Sequence, residues 1–167
     1  MKNQQEIFLK LLKEHRGILK KVTKIYMDNQ ADREDLEQEI IFQLWRSYER
    51  FTGKSKFSTW MYRVALNTAI TYFKKEKRRV DKNSINDNVD IKADEHDDTK
   101  DSQLVYFYKA VQELNKVEKA LILLFIEGQS HKEIGENLGL TEGNARVKLN
   151  RTKKKIQQII KDQGYEF

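Results

Sequence analysis

Apolar residues recur every three or four positions along most of the chain, the spacing of amphipathic helices rather than of strands. From Gln5 to Met27 the repeat is carried by Ile7, Phe8, Leu11, Leu12, Ile18, Leu19, Val22, Ile25 and Tyr26. It predicts a single helix, crossed by Gly17 at a cost of about 1 kcal/mol. Asn29 and Gln30 interrupt the pattern, and Asp32 is placed to cap a second helix running to about Phe51. At 100° per residue, Leu36, Ile40, Ile41, Leu44, Trp45, Tyr48 and Phe51 fall in one broad half of that helix. Asp35, Gln38, Glu39, Phe42, Arg46 and Glu49 occupy the other half. After a loop over Thr52 to Lys56, a third helix opens near Ser58 and runs to about Arg79. Phe57, Met61, Val64, Ala65, Thr68 and Tyr72 form its expected core face; Trp60, Arg63, Asn67, Thr71, Lys74 and Arg78 lie opposite.

The pattern resumes at Leu104, Val105, Phe107, Tyr108, Val111 and Leu114. Asn115 with Glu118 makes a capping box, and Leu121, Leu124 and Phe125 continue the core until Gly128. Ser130 with Glu133 makes a second box, opening a short helix whose buried stripe is Ile134 and Leu138. Gly139 stands where a helix ends in a left-handed residue. Leu140 plugs the turn and Thr141 caps a longer helix that buries Ala145, Leu149, Thr152 and Ile156. Its outer side carries Asn144, Arg146, Val147, Lys148, Asn150 and Arg151, then Lys153, Lys154 and Lys155. A capped helix, a glycine turn and a long basic helix make a helix-turn-helix. The same features fit an ordinary helical hairpin with a solvated basic face.

Between these halves the composition changes. From Asp81 to Asp101 eight acidic residues stand against three lysines, and no apolar periodicity is present. That is the composition of a flexible acidic linker. The expected architecture is therefore all-α, with a domain over 1–80, a linker over 81–102 and a helix-turn-helix domain over 103–167. The segment Ala93 to Asp98 is acidic but has no second cluster to complete a metal site.

With 167 residues and a net charge of +6, the chain suits one or two small domains with a polyanionic partner. It has no cysteine and no proline, so disulfides and thiolate metal sites are excluded. No apolar run approaches the roughly 20 residues that span a bilayer. The expectation is a soluble cytoplasmic protein with no membrane insertion. His15, His96 and His131 lie in separate segments, and there is no glycine-rich phosphate loop or zinc-ligand spacing. A binding protein with no metal or other cofactor is expected, rather than an enzyme.

Two faces stay open on the residues alone. Phe42 is either a solvated aromatic or a docking spot ringed by carboxylates for a basic partner. The face from Trp60 to Arg78 spans roughly 27 Å at 1.5 Å per residue. It offers an indole, an amide and cations in line, which suits unpaired nucleotides. It is equally a core tryptophan followed by a solvated helix end.

Two stretches nevertheless resemble a known family. Asp32 to Arg79, with its core FSTWMYRVALNTA, is similar to region 2 of bacterial sigma factors. Leu114 to Ile156, including GLTEGNARVKLNRTKKKI, is similar to region 4. Two such regions with a short linker and no region 3 resemble the extracytoplasmic-function (ECF) sigma factors.

The resemblance implies an alternative sigma factor that binds core RNA polymerase and directs promoter recognition, melting and transcription initiation. Asp35, Gln38, Glu39 and Phe42 would dock on the β′ clamp helices, and the second domain on the β flap. The loop from Phe51 to Phe57, with Lys54 and Lys56, would engage the −10 element. Trp60, Arg63 and Asn67 would lie on the base side, and Lys74, Lys75, Arg78 and Arg79 on phosphates. Asn144, Arg146, Val147, Asn150 and Arg151 would face the −35 major groove, with Lys148, Lys153 and Lys154 at its phosphates. An anti-sigma factor is a further partner the resemblance allows. Asn144-Ala145 departs from the common Thr-Val pair and puts local packing of that helix in question. The rival readings are a stand-alone helix-turn-helix regulator and a protein-interaction module.

Overall fold

The structure, a computed structural model, describes residues 2–80 and 102–164, with the backbone alone for 73–80 and 102. Residues 81–101 of the expected linker, with the Ala93 to Asp98 segment, lie outside the described residues, and Ser102 at its end already begins a helix. The chain divides into two compact units, Met1–Asn88 and Val89–Phe167. The described residues form helices joined by turns, with no strand among them.

The first unit holds α1 (Lys2–Glu14), α2 (Arg16–Tyr26), α3 (Gln30–Ser47) and α4 (Phe57–Val80). The single first helix expected from periodicity is in fact two. His15 leaves helical geometry at φ −109° and ψ 18°, with its Nδ1 2.9 Å from the Leu11 carbonyl oxygen. Gly17 two residues on adds little resistance to a break, so the apolar repeat continues through a change of axis. The start of α3 also differs: Asn29, not Asp32, is the cap, and its side chain accepts from the Asp32 N–H at 2.8 Å. Asp32 sits in the first turn, where a carboxylate favours the positive end of the helix dipole. The helix ends at Ser47, a 3-10 turn covers Tyr48–Arg50, and Phe51 is extended.

Leu19 and Val22 from α2, Leu36, Ile40 and Leu44 from α3, and Met61 and Leu66 from α4 fill the core with at most 1% exposure. On α4 the buried arc is Phe57, Met61, Tyr62, Ala65, Leu66 and Ala69; Val64, Thr68 and Tyr72 are half-buried. The arc is rotated from the expected one because both α2 and α3 pack against α4. Glu37 is also buried, and its carboxylate meets Lys20 at 3.0 Å and Arg16 at 3.7 Å.

The second unit holds α5 (Ser102–Gln112), α6 (Lys116–Ile126), α7 (His131–Leu138) and α8 (Glu142–Asp162). Both expected capping boxes are present, at Asn115/Glu118 and Ser130/Glu133. Gly139 has φ +69°, and the Thr141 side chain accepts from the Asn144 N–H at 3.1 Å. Leu121, Leu124, Ile134, Ala145 and Leu149 are buried at the junction of α6, α7 and α8. Ala145 is fully buried, so the smaller side chain still serves as a core contact. Phe125, expected in the core, is 43% exposed. Gly135 has a role that periodicity did not indicate. A Cβ there would lie 2.7 Å from the Leu140 carbonyl oxygen, so only glycine lets the turn close on α7.

Candidate nucleic-acid interface

In the first unit the outer side of α3 presents Asp35, Gln38 and Phe42 to solvent, with Glu39 half-buried beside them. Phe42 is 56% exposed, more than any other aromatic residue among the described side chains. Gln43 Nε2 donates to Glu39 Oε1 at 2.9 Å, which fixes one oxygen of that carboxylate.

Where α3 ends, the chain turns back over an aromatic cluster. Phe51 meets Phe57 edge-on at 5.7 Å and Trp60 at 5.1 Å between ring centroids. Phe57 and Trp60 are 5.4 Å apart, and His15 packs on Phe57 at 5.3 Å. Phe57, expected both on the core face of α4 and at the end of the −10 loop, is only 8% exposed and lies on the core side. Its ring supports Phe51 and Trp60, which are half-buried and present part of their faces. Tyr48 extends the cluster toward Trp45 and Phe8. The loop that caps it turns at Gly53, with φ +74°, and exposes Lys54 and Lys56.

Arg63 and Asn67 follow Trp60 on the exposed side of α4. Lys74, Lys75, Arg78 and Arg79 continue that helix, their side chains outside the described residues. The structure therefore brings one indole, one amide and one guanidinium into line, backed by buried rings. Between α3 and α4 lies a groove of about 390 Å³ that reaches Arg63 and Asn67. Gln43, Ser47 and Thr71 line it too, and the sequence pattern did not mark the first two as functional. Glu39 and Gln43 stand four residues apart, the one signal that pairs them on a helix.

In the second unit α8 exposes Asn144, Arg146, Val147, Lys148, Asn150, Arg151 and Lys154. The Arg146 guanidinium is steadied by its neighbours, with Nη2 3.5 Å from Glu142 Oε1 and Nε 3.5 Å from His131 Nδ1. Lys153 differs from its neighbours: its ammonium lies 3.7 Å from the Phe125 ring centroid. Lys155 pairs with Glu118 at 3.0 Å. Both lysines tie α8 to α6. Helix α8 thus combines an apolar seam with a cationic and amide-bearing outer face, the composition of a helix that enters a major groove. Among the described residues no group of three His, Cys, Asp or Glu is placed to hold a metal ion. No described helix is long and apolar enough to cross a membrane.

Comparison with known proteins agrees with both halves. The family model for Sigma-70 region 2 matches residues 11–79, and that for Sigma-70 region 4 matches residues 104–156. The ECF RNA polymerase sigma-E factor of Haemophilus influenzae is 29% identical over 141 residues, covering 77% of this chain and 75% of the relative. RNA polymerase sigma factor SigZ of Bacillus subtilis is 25% identical over 137 residues, covering 80% and 76%. Among solved structures, the sigma factor RpoE in complex with the anti-sigma factor NepR from Bartonella quintana superposes with a TM-score of 0.69. It is 20% identical and covers 96% of this chain and 98% of that one. A stand-alone helix-turn-helix regulator would need no region 2, and here region 2 precedes region 4 in one chain. The chain belongs to the sigma-70 family, as an ECF-type RNA polymerase sigma factor that partners core polymerase and promoter DNA in transcription initiation.

Proposed function

We propose that the two units divide the work of initiation, with working limits at 1–80, 81–102 and 103–167. The outer side of α3 docks on the β′ clamp helices through Phe42, with Asp35, Gln38 and Glu39 supplying polar and acidic contacts around it. The aromatic cluster and the face from Trp60 to Asn67 engage the −10 element. Trp60 and Phe51 offer stacking surface to a base that leaves the duplex, which offsets the few kcal/mol of unpairing. Lys54 and Lys56, with Lys74, Lys75, Arg78 and Arg79, hold the backbone by charge. Helix α8 reads the −35 element, with Arg146, Val147, Asn150 and Arg151 toward base edges and Lys148 and Lys154 toward phosphate, while the second unit contacts the β flap. The chain performs no catalysis of its own and acts in the cytoplasm, where polymerase and promoter meet. The RpoE–NepR structure, and that of CnrH with the cytosolic domain of CnrY, suggest an anti-sigma factor as a second protein partner.

The observation that carries this reading is the exposed Phe42, together with the half-buried Trp60 beside exposed Arg63 and Asn67, in the unit that matches region 2. Run-off transcription with purified core polymerase across a genomic promoter library is the test. Specific transcripts that depend on this chain are expected. A mixture that starts none overturns the reading.

A further inference from the structure

The Arg146 side chain is more than half exposed, yet its guanidinium is gripped along one edge. Nε lies 3.5 Å from His131 Nδ1, and Nη2 lies 3.5 Å from Glu142 Oε1. The two jaws come from different places. Glu142 stands one helical turn earlier on α8. His131 is the first residue of α7, on the far side of the Gly139 turn. Nε and Nη2 share one edge of the planar group, so both jaws close on that edge. Each contact is long for a hydrogen bond and exposed to water, so neither adds much to stability. Together they restrict a side chain that is otherwise rich in rotamers.

The grip also fixes which donors are left. A guanidinium has N–H donors and no acceptor. The Nε–H is turned to His131, which must therefore accept at Nδ1 and carry its own proton at Nε2. One Nη2 N–H is turned to Glu142. The end of the group, formed by Nη1 and the other Nη2 hydrogen, keeps its donors. Two parallel donors match the O6 and N7 acceptors of guanine, and no other base presents two acceptors in the major groove. A side chain that has to be ordered on binding loses affinity, and one already held does not.

We propose that His131 is a positioning residue for Arg146 and, with Glu142, holds the guanidinium end-on to one guanine of the −35 element. It rests on the assignment of α8 to the −35 element. His131 acts through Arg146 and need touch no base. The short helix α7 then contributes to selectivity, and one base pair is read with the help of a residue outside the helix that meets it.

The test uses holoenzyme and a promoter recovered by run-off transcription, with a duplex −35 element, at one fixed salt concentration. Each guanine of the element in turn is replaced by 7-deazaguanine, which still pairs but lacks N7. At one position the wild type should lose roughly 3- to 30-fold in affinity, and Arg146→Ala should suffer no penalty there. His131→Leu should bind the unmodified promoter roughly 2- to 10-fold more weakly than the wild type, yet bind the modified one equally well. His131→Asn, whose Oδ1 accepts where Nδ1 did, should restore wild-type binding to both. Glu142→Met opens the other jaw without touching α7 and should show the same pattern as His131→Leu. An equal loss on both promoters, no loss, or no rescue by His131→Asn overturns the positioning role and leaves the −35 assignment standing. A wild type indifferent to every substitution, or a penalty that survives Arg146→Ala, overturns the positioning role together with the base-edge assignment of Arg146.

Discussion

Single residues in this protein are constrained by what touches them, and several touch something unexpected. Gly135 closes against the Leu140 carbonyl. Gly135→Ala forces backbone to move in the turn that aims α8, so it should cost about 1–3 kcal/mol in thermal unfolding of the second unit. Duplex −35 binding should fall with it. Phe42 makes no such demand on the fold, since more than half of it is exposed. Phe42→Ala should leave the melting temperature unchanged yet weaken co-purification with core polymerase about tenfold or more, roughly 1.4 kcal/mol. Normal binding would remove Phe42 from the interface. Burial pushes the Tyr26 hydroxyl well above the ordinary tyrosine value near 10. The unfolded chain then loses that proton first. Stability is intact below about pH 10 and declines as pH rises toward the folded value. Tyr26→Phe should flatten that alkaline decline in denaturation curves taken as a function of pH.

At the scale of elements, the question is which face of each helix is committed to a neighbour. On α8, Lys153 sits over Phe125 and Lys154 is exposed. Lys154→Ala should weaken duplex binding evenly across sequences and lower the log–log salt slope by roughly 0.9. Lys153→Ala should move that slope less, and register instead as a small loss of stability. Arg151→Ala should cost roughly 1–3 kcal/mol and relax selectivity at one upstream position. A uniform loss over all promoters would mark Arg151 as a phosphate contact. Between α2 and α3, Lys20 and Arg16 are mostly exposed while Glu37 is buried. Lys20→Met leaves the carboxylate poorly compensated and should destabilise by about 1–3 kcal/mol. Glu37→Gln lets two hydrated cations return to water and should cost less, by chemical denaturation.

At the scale of the whole molecule, the proposed division of work has two small units of one chain engaging two promoter elements through one polymerase. Neither needs high affinity alone, because tethering raises the effective concentration of the second contact. Transcription that survives loss of either unit would contradict that coupling.

The capping boxes, the glycine turn and the order of the two regions were legible in the residues. Each is set by groups three or four positions apart, and such short-range chemistry is the same in any fold. The fold class and the exposed bases of α8 followed from the same periodicity. Periodicity failed where a neighbour from afar decides. It ran through the break at His15, because an apolar repeat survives a change of helix axis. It misplaced the core arc of α4, which two helices cover rather than one. It left Phe125 inside and Lys153 free, although these two residues meet across 28 positions. The α3–α4 groove belongs wholly to this second kind. Glu39 and Gln43 come from one helix and Asn67 and Thr71 from another, and only packing brings their acceptors and amide to one cleft.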